Sequence, residues 1–218
     1  MAKISRGNTG DKIKKGLKLK PVDGTRVVEI PDTDRDELAH FLFENDYLVG
    51  AEIGVNQGEY GITLCKAGLK VYGVDPWENY LGYKREGTYK SSYDVALKNL
   101  KGYDYTIVKK YSTDALADFE DNSLDFVYID ANHTLPYVCL DIFGWERKVR
   151  HGGIIAGHDY ANIRGFGERK RPKTYDGCHV KAALDACMQV MDIDKLYVLG
   201  ERWSTNRDKW RTWFFIKQ

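Results

Sequence analysis

Two acids and two histidines stand just beyond two apolar runs: "LDFVYIDANH" carries Asp130 and His133, and "GGIIAGHDY" carries His158 and Asp159. If these runs are neighbouring parallel strands, all four side chains emerge at one rim. Such a set suits a divalent cation, because carboxylates match Mg²⁺ and a histidine ligand also admits Mn²⁺ or another transition ion. Asp130, His158 and Asp159 are the candidate metal ligands. An imidazole titrates near ~6.5, so His133 at the same rim is a candidate for proton transfer. His40 and His151 have no such company and read as surface or capping residues.

A second group is the stretch "GAEIGVNQGEYG" at residues 50–61, followed by "KVYGVDPW". Glycines at this density let the backbone approach a ligand, and the helix that follows turns its first amides toward the same crevice. A nicotinamide or flavin fingerprint needs G-x-G-x-x-G against a pyrophosphate. Here Val55, Asn56 and Gln57 separate Gly54 from Gly58. That spacing fits an adenosine ligand without pyrophosphate, carrying an amino-acid end that Glu52 and the loop backbone can hydrogen-bond. Asp75 lies where an acid can accept from ribose hydroxyls. In "YSTDAL", Asp114 is the candidate acceptor for the adenine edge.

The elements that must position these residues alternate between apolar runs and helical periodicity. "LVGAEIG", "KVYGVD", "DYTIVKK", "LDFVYID", "GGIIAGHD", "KLYVLG" and "RTWFFIK" read as strands, and "TRVVEIP" as a short extended piece. Between them, Leu38, Phe41 and Leu42, then "GEYGITLCKAGL", then Tyr93, Ala96, Leu97 and Leu100 fall at helical spacing. Val138, Ile142, Trp145 and Val149 mark a further helix with Pro136 in its first turn, and Val180, Ala183, Leu184 and Cys187 another. Strands apolar on both faces, alternating with helices, predict a doubly wound α/β fold with a mostly parallel, seven-stranded sheet. The link between the last two strands is too short for a helical crossover, so they should close as an antiparallel hairpin. Residues 78–93 and 161–177 interrupt the pattern at strand carboxyl ends and are candidate lids.

The 218-residue chain is 43% hydrophobic and 30% charged, a composition that fits one domain, and no apolar run nears the ~20 residues a membrane span requires. Residues 1–20 hold seven Lys or Arg against one acid, Asp11, and a secretory apolar centre is absent, so the expected location is the cytoplasm. Residues 1–25 read as a basic amino-terminal arm, a solvated tail or subunit-packing segment, and residues 26–218 as the domain. Aromatic residues are not interleaved with the basic ones, which disfavours nucleic acid as a partner. The four cysteines, Cys65, Cys139, Cys178 and Cys187, lack C-x-x-C spacing and read as reduced core thiols.

Together "AEIGVNQGEYG", "VYGVDPW", "STDAL" and "LDFVYIDANH" resemble the class I S-adenosylmethionine-dependent methyltransferases over approximately residues 47–217. The resemblance implies a Rossmann-like seven-stranded fold and S-adenosylmethionine as cofactor. By it, Glu52, Gly54 and Gly58 line the methionine side with the loop's Asn56 and Gln57, Asp75 the ribose, and Asp114 with Ala115 the adenine. Asp130 is counted among the cofactor contacts as well. The rim cluster is similar to that of metal-dependent small-molecule O-methyltransferases, the macrolide-sugar branch of macrocin and mycinamicin enzymes in particular. That likeness implies catalysis by His133 as base and Asp130 as ligand and orienter, on a hydroxyl of a small molecule such as a sugar or glycosylated metabolite. The second-strand acid pair of that branch is His158-Asp159 here. It also leaves room for a homo-oligomer. Methylation of RNA ribose and a nicotinamide-dependent oxidoreductase are the competing readings.

Overall fold

The computed structural model describes residues 9–21, 24–78, 88–161, 163–164, 177–201 and 210–218. Its strands are β1 (Val27–Ile30), β2 (Val49–Ile53), β3 (Lys70–Val74), β4 (Tyr105–Val108), β5 (Leu124–Ile129), β6 (Val149–Gly157), β7 (Ile163–Arg164), β8 (Gly177–Cys178), β9 (Leu196–Leu199) and β10 (Thr212–Ile216). The helices are α1 (Thr9–Gly16), α2 (Arg35–Glu44), α3 (Glu59–Ala67), α4 (Thr88–Asn99), α5 (Ser112–Ala115), α6 (Leu135–Glu146) and α7 (Val180–Val190).

Eight strands form one sheet in the order β1-β9-β10-β6-β5-β2-β3-β4. All neighbours run parallel except β10, which is antiparallel to both β9 and β6. The doubly wound fold and its antiparallel hairpin are as the sequence indicates; the strand count is not. Residues 27–30, read as an extended piece, pair in parallel with β9, Val27 opposite Leu196. A four-residue strand with alternating burial is enough to cover the β9 edge, whose backbone groups would otherwise lack partners.

Each face of the sheet carries its own apolar layer. One packs Val138, Ile142 and Trp145 of α6 and Ala183, Leu184 and Cys187 of α7 against β5, β6 and β10. The other packs α2 and α3 on the opposite face through Leu38, Leu42 and Leu64. Helix α1, within the stretch expected to be a solvated arm, joins this second layer: Ile13 is fully buried there. Lys12 bonds the Asp32 carbonyl (2.5 Å) and pairs with Glu37 (3.3 Å), so basic charge and core packing share the same two turns.

Local signals fix the helices that face the site. Asp34 caps α2 by accepting from Glu37 N. Gly58 precedes α3 at φ +80°, a left-handed conformation that glycine adopts without strain. Asn132 accepts from the amide and hydroxyl of Thr134, which sets the turn into α6, and proline stands in that helix's first turn. The antiparallel bridge of β7 and β8 flanks one candidate lid; residues 79–87, 162 and 165–176 of the two candidate lids lie outside the described residues.

Candidate active site

After β1 at the far edge, the chain crosses to β2, then builds outward through β3 and β4 on one side and β5 and β6 on the other, so a crevice opens beyond the carboxyl ends of β2 and β5. Gly54 lies there at φ +92°, and a Cβ on it would collide with the Asp130 carbonyl. Only glycine lets the two strand ends come this close. The Asp130 amide donates to the Ile53 carbonyl at 2.7 Å, which ties the acid's backbone to the loop.

Asp75 organises the loop. Its Oδ2 accepts from the amides of Val55 and Asn56, both at 3.0 Å, and its Oδ1 from Trp77 N at 2.7 Å. Burial raises its pKa, and the three amides oppose the rise. Trp77 Nε1 donates to the Asn56 carbonyl at 2.8 Å, and Asn99 donates to that of Gln57 at 2.9 Å. Asn56 and Trp77 both hold positive φ, 52° and 47°, a conformation that costs non-glycine residues energy and persists here under these bonds.

Glu52 is buried on β2 and accepts from the Tyr105 hydroxyl at 2.5 Å. A Cβ on Gly61 would crowd the Glu52 carboxyl and one on Gly73 would overlap the Tyr105 ring, so these two glycines create the room the pair occupies. Burial pushes Glu52 up to about 8, with the Tyr105 hydrogen bond opposing it, while burial and the neighbouring carboxyl raise the Tyr105 phenol.

At the other end stand the four rim residues. His133 Nε2 lies 3.2 Å from Asp130 Oδ1 and 2.9 Å from Asp159 Oδ2. His158 Nδ1 lies 3.8 Å from Asp130 Oδ2 and 3.5 Å from Asp159 Oδ1. Burial disfavours charge on His133, but its hydrogen bonds to Asp130 and Asp159 prevail and push it up to about 11. Asp159 shows the converse: burial would raise it, yet bonds from His133 and His158 hold it well below the usual carboxylate range. Asp159 adopts φ 56°, and Trp213 Nε1 donates to the His158 carbonyl at 2.9 Å, anchoring the β6 end to β10.

A cavity of about 770 Å³ runs between these groups, a size that suits a small-molecule ligand. Its wall includes Glu52, Gly54, Asn56, Gln57, Asp75, Asp130 and His133 of the residues singled out in the sequence. His158 and Asp159 adjoin it through Asp130 and His133. Gly58 caps α3 without lining the wall. Asp114 and Ala115 are not brought to it: Asp114 is exposed and Ala115 is packed into the core, because α5 turns Ser112 toward the cavity instead.

Sequence reasoning missed Arg35 and Tyr60, whose side chains stack 5.2 Å apart on the wall, and Tyr111, Tyr137 and Asp141. For Asp141 a signal existed. It follows Val138 by three residues and precedes Trp145 by four, which puts an acid on the apolar stripe of α6.

The donor set fits a divalent cation: Asp130, His133 and Asp159 offer ligand atoms all within 4.8 Å of one another. The histidine in this tight group is His133, whereas the sequence pointed to His158 as the ligand; both imidazoles face the same two carboxylates.

A family model described as a methyltransferase domain matches residues 51–160, and the chain belongs to that family. Its mostly parallel sheet with the antiparallel β10 is the Rossmann-like methyltransferase fold. Protein y4gI of Sinorhizobium fredii (strain NBRC 101917 / NGR234), uncharacterised, is 27% identical over 127 residues; the match covers 53% of this chain and 14% of that protein, so the chain spans a small part of its relative. An O-methyltransferase from Bacillus cereus in complex with SAH shares the fold at TM-score 0.59 and 12% identity, with 99% of this chain and 94% of that one covered. An O-methyltransferase family protein from Burkholderia thailandensis superposes at TM-score 0.55 and 11% identity, covering 84% and 55%. A spermidine synthase in complex with the transition-state analogue AdoDATO does so at TM-score 0.52 and 12% identity, covering 84% and 59%. One fold thus hosts more than one transfer reaction, and the side chains must decide.

Proposed function

We propose that the chain transfers the methyl group of S-adenosylmethionine to a hydroxyl of a small molecule, a sugar or glycosylated metabolite. The observation that carries this reading is the single cavity joining the Gly54 loop to the Asp130-His133-Asp159 cluster. Glu52 and the loop would hold the amino-acid end of the cofactor, and Asp75 with the loop amides its ribose. The sulfonium methyl is already reactive, so the protein's task is to align an oxygen behind it for in-line displacement and to remove that oxygen's proton. As the carbon–oxygen bond forms, the carbon–sulfur bond breaks and its electron pair stays on sulfur as the thioether.

Asp130 and Asp159 with His158 would hold a divalent cation, Mg²⁺ or Mn²⁺, which would supply a Lewis acid that lowers the hydroxyl's pKa. His133, whose Nε2 lies beside Asp130 and Asp159, is the residue proposed to take the hydroxyl proton. Against burial, its hydrogen bonds to Asp130 and Asp159 raise the basicity of His133. Among the described residues no helix is long and apolar enough to cross a membrane.

The test is calorimetric titration of S-adenosylhomocysteine, with and without Mg²⁺ or Mn²⁺, into the wild type and Asp159→Ala. Expected are cofactor binding in both and metal binding in the wild type alone, followed by methylation of hydroxylated sugars. Cofactor binding without any metal response would remove the metal from the mechanism. Absence of cofactor binding would overturn the whole reading, and salt-sensitive retention of RNA would favour ribose methylation.

A further inference from the structure

We infer that His179 is a positioning residue for the acid-histidine rim, clasping the turn that carries His133 although it stands outside the cavity wall. This rests on the reading above, in which that rim handles a cation and a proton.

The amino end of α6 shows why such a clasp is needed. A helix leaves its first amides without partners inside the helix, and the residue before it commonly supplies a capping side chain. Thr134 stands at that position but turns its hydroxyl to Asn132 Oδ1 at 2.8 Å, and Pro136 has no amide to offer. The Leu135 amide finds its acceptor on another element, donating to His179 Nδ1 at 3.3 Å. The His179 amide in turn donates to the His133 carbonyl at 2.7 Å. One residue at the start of α7 thus holds the His133 turn by two bonds, one on each side of Thr134. Its neighbour holds the other half of the rim: Cys178, 6% exposed, donates through Sγ to the Asp159 carbonyl at 3.3 Å, where the backbone sits at φ 56° and persists only if its surroundings fix it. The side chains of His133 and Asp159 meet at 2.9 Å between two loops that this dipeptide fastens. For Nδ1 to accept, the imidazole proton of His179 sits on Nε2.

The experiment titrates Mn²⁺ alone, and separately S-adenosylhomocysteine, into the full chain and its His179 variants. His179→Ala removes the acceptor. In His179→Asn the side-chain oxygen stands as many bonds from Cα as Nδ1 does and can accept in its place, whereas His179→Gln carries its oxygen one bond further. Mn²⁺ affinity is expected to fall about 10- to 100-fold in the Ala and Gln variants, the usual loss when a residue supporting a metal ligand is removed, and to recover in Asn. S-adenosylhomocysteine affinity should be unchanged throughout. Wild-type Mn²⁺ affinity in His179→Ala, or a loss in Asn equal to that in Ala, overturns the inference. So does a loss of S-adenosylhomocysteine affinity in step with that for Mn²⁺, which would make His179 a matter of general stability. If the wild type binds S-adenosylhomocysteine but no Mn²⁺, the metal reading fails and diethyl pyrocarbonate decides the inference. Its modification of His133 should be slow in wild type and Asn, where Asp130 and Asp159 engage Nε2, and faster in Ala and Gln; equal rates in all four overturn it.

Discussion

If Glu52 holds the cofactor's α-ammonium as proposed, cofactor affinity should depend on pH, with a sign and size that follow from the surroundings of Glu52. In the empty cavity the carboxyl is pushed up to about 8 by burial. A cofactor α-ammonium demands the carboxylate. At pH 7 a group of this pKa is ionised in roughly one molecule in ten, so binding must expel a proton at about 1.4 kcal/mol, a tenfold weakening. Affinity for S-adenosylhomocysteine is therefore expected to rise about tenfold from pH 6 to 7 and to level off above 8. Calorimetry at pH 6.5 in two buffers of different ionisation enthalpy should show close to one proton released per ligand bound. Glu52→Gln cannot titrate: its affinity should be flat over pH 6–8 and about tenfold weaker than wild type at pH 8.5, where the charge-assisted bond is missing. Stability moves the other way. Since the folded pKa exceeds the ordinary 4.5, the stability that Glu52 contributes is full below 4.5 and is lost as pH rises through 8. Equal slopes for wild type and Glu52→Gln, or a flat wild type, would refute the placement of the ammonium at Glu52.

Two further expectations concern the scaffold. Gly54→Ala would drive a Cβ into the Asp130 carbonyl, so it should cost about 1–3 kcal/mol in a denaturant melt and abolish cofactor binding. Ile13→Ala should cost about 2–5 kcal/mol if α1 belongs to the fold as its burial indicates; a loss within about 0.5 kcal/mol would return α1 to the status of a surface appendage.

The strands that read most plainly from sequence are the central ones, because burial on both faces writes itself as continuous apolar runs. β1 was harder: four residues with alternating burial acquire an identity only through β9, which is remote in sequence. Helix α1 was obscured by its lysines, since one fully buried residue, Ile13, decides its packing. In the candidate site, the Asp130-His133-Asp159 grouping was legible because short spacings after adjacent strands fix where side chains emerge. The Ser112–Asp141 pair joins α5 to α6, and no local spacing reports a contact of that kind; the stripe position of Asp141 was the one clue. Asp114, expected near the adenine, is exposed on α5 and does not line the cavity.

The position of β10 has a kinetic consequence. It lies between β6 and β9 and, among the described strands, alone joins the two halves of the sheet, while β1 finds its partner 169 positions downstream at Val27–Leu196. Contacts this distant in sequence close slowly. The β2–β5 half, which contains the glycine loop, has its strand pairs at hand before β10 docks. The outer edge of β6, with His158 and Asp159 at its end, pairs on one side with β5 and gains its second partner from β10, where Trp213 Nε1 donates to the His158 carbonyl. Refolding followed by pulse-labelled hydrogen exchange is expected to protect the β2–β5 strands before the β10-dependent contacts at the β6 edge.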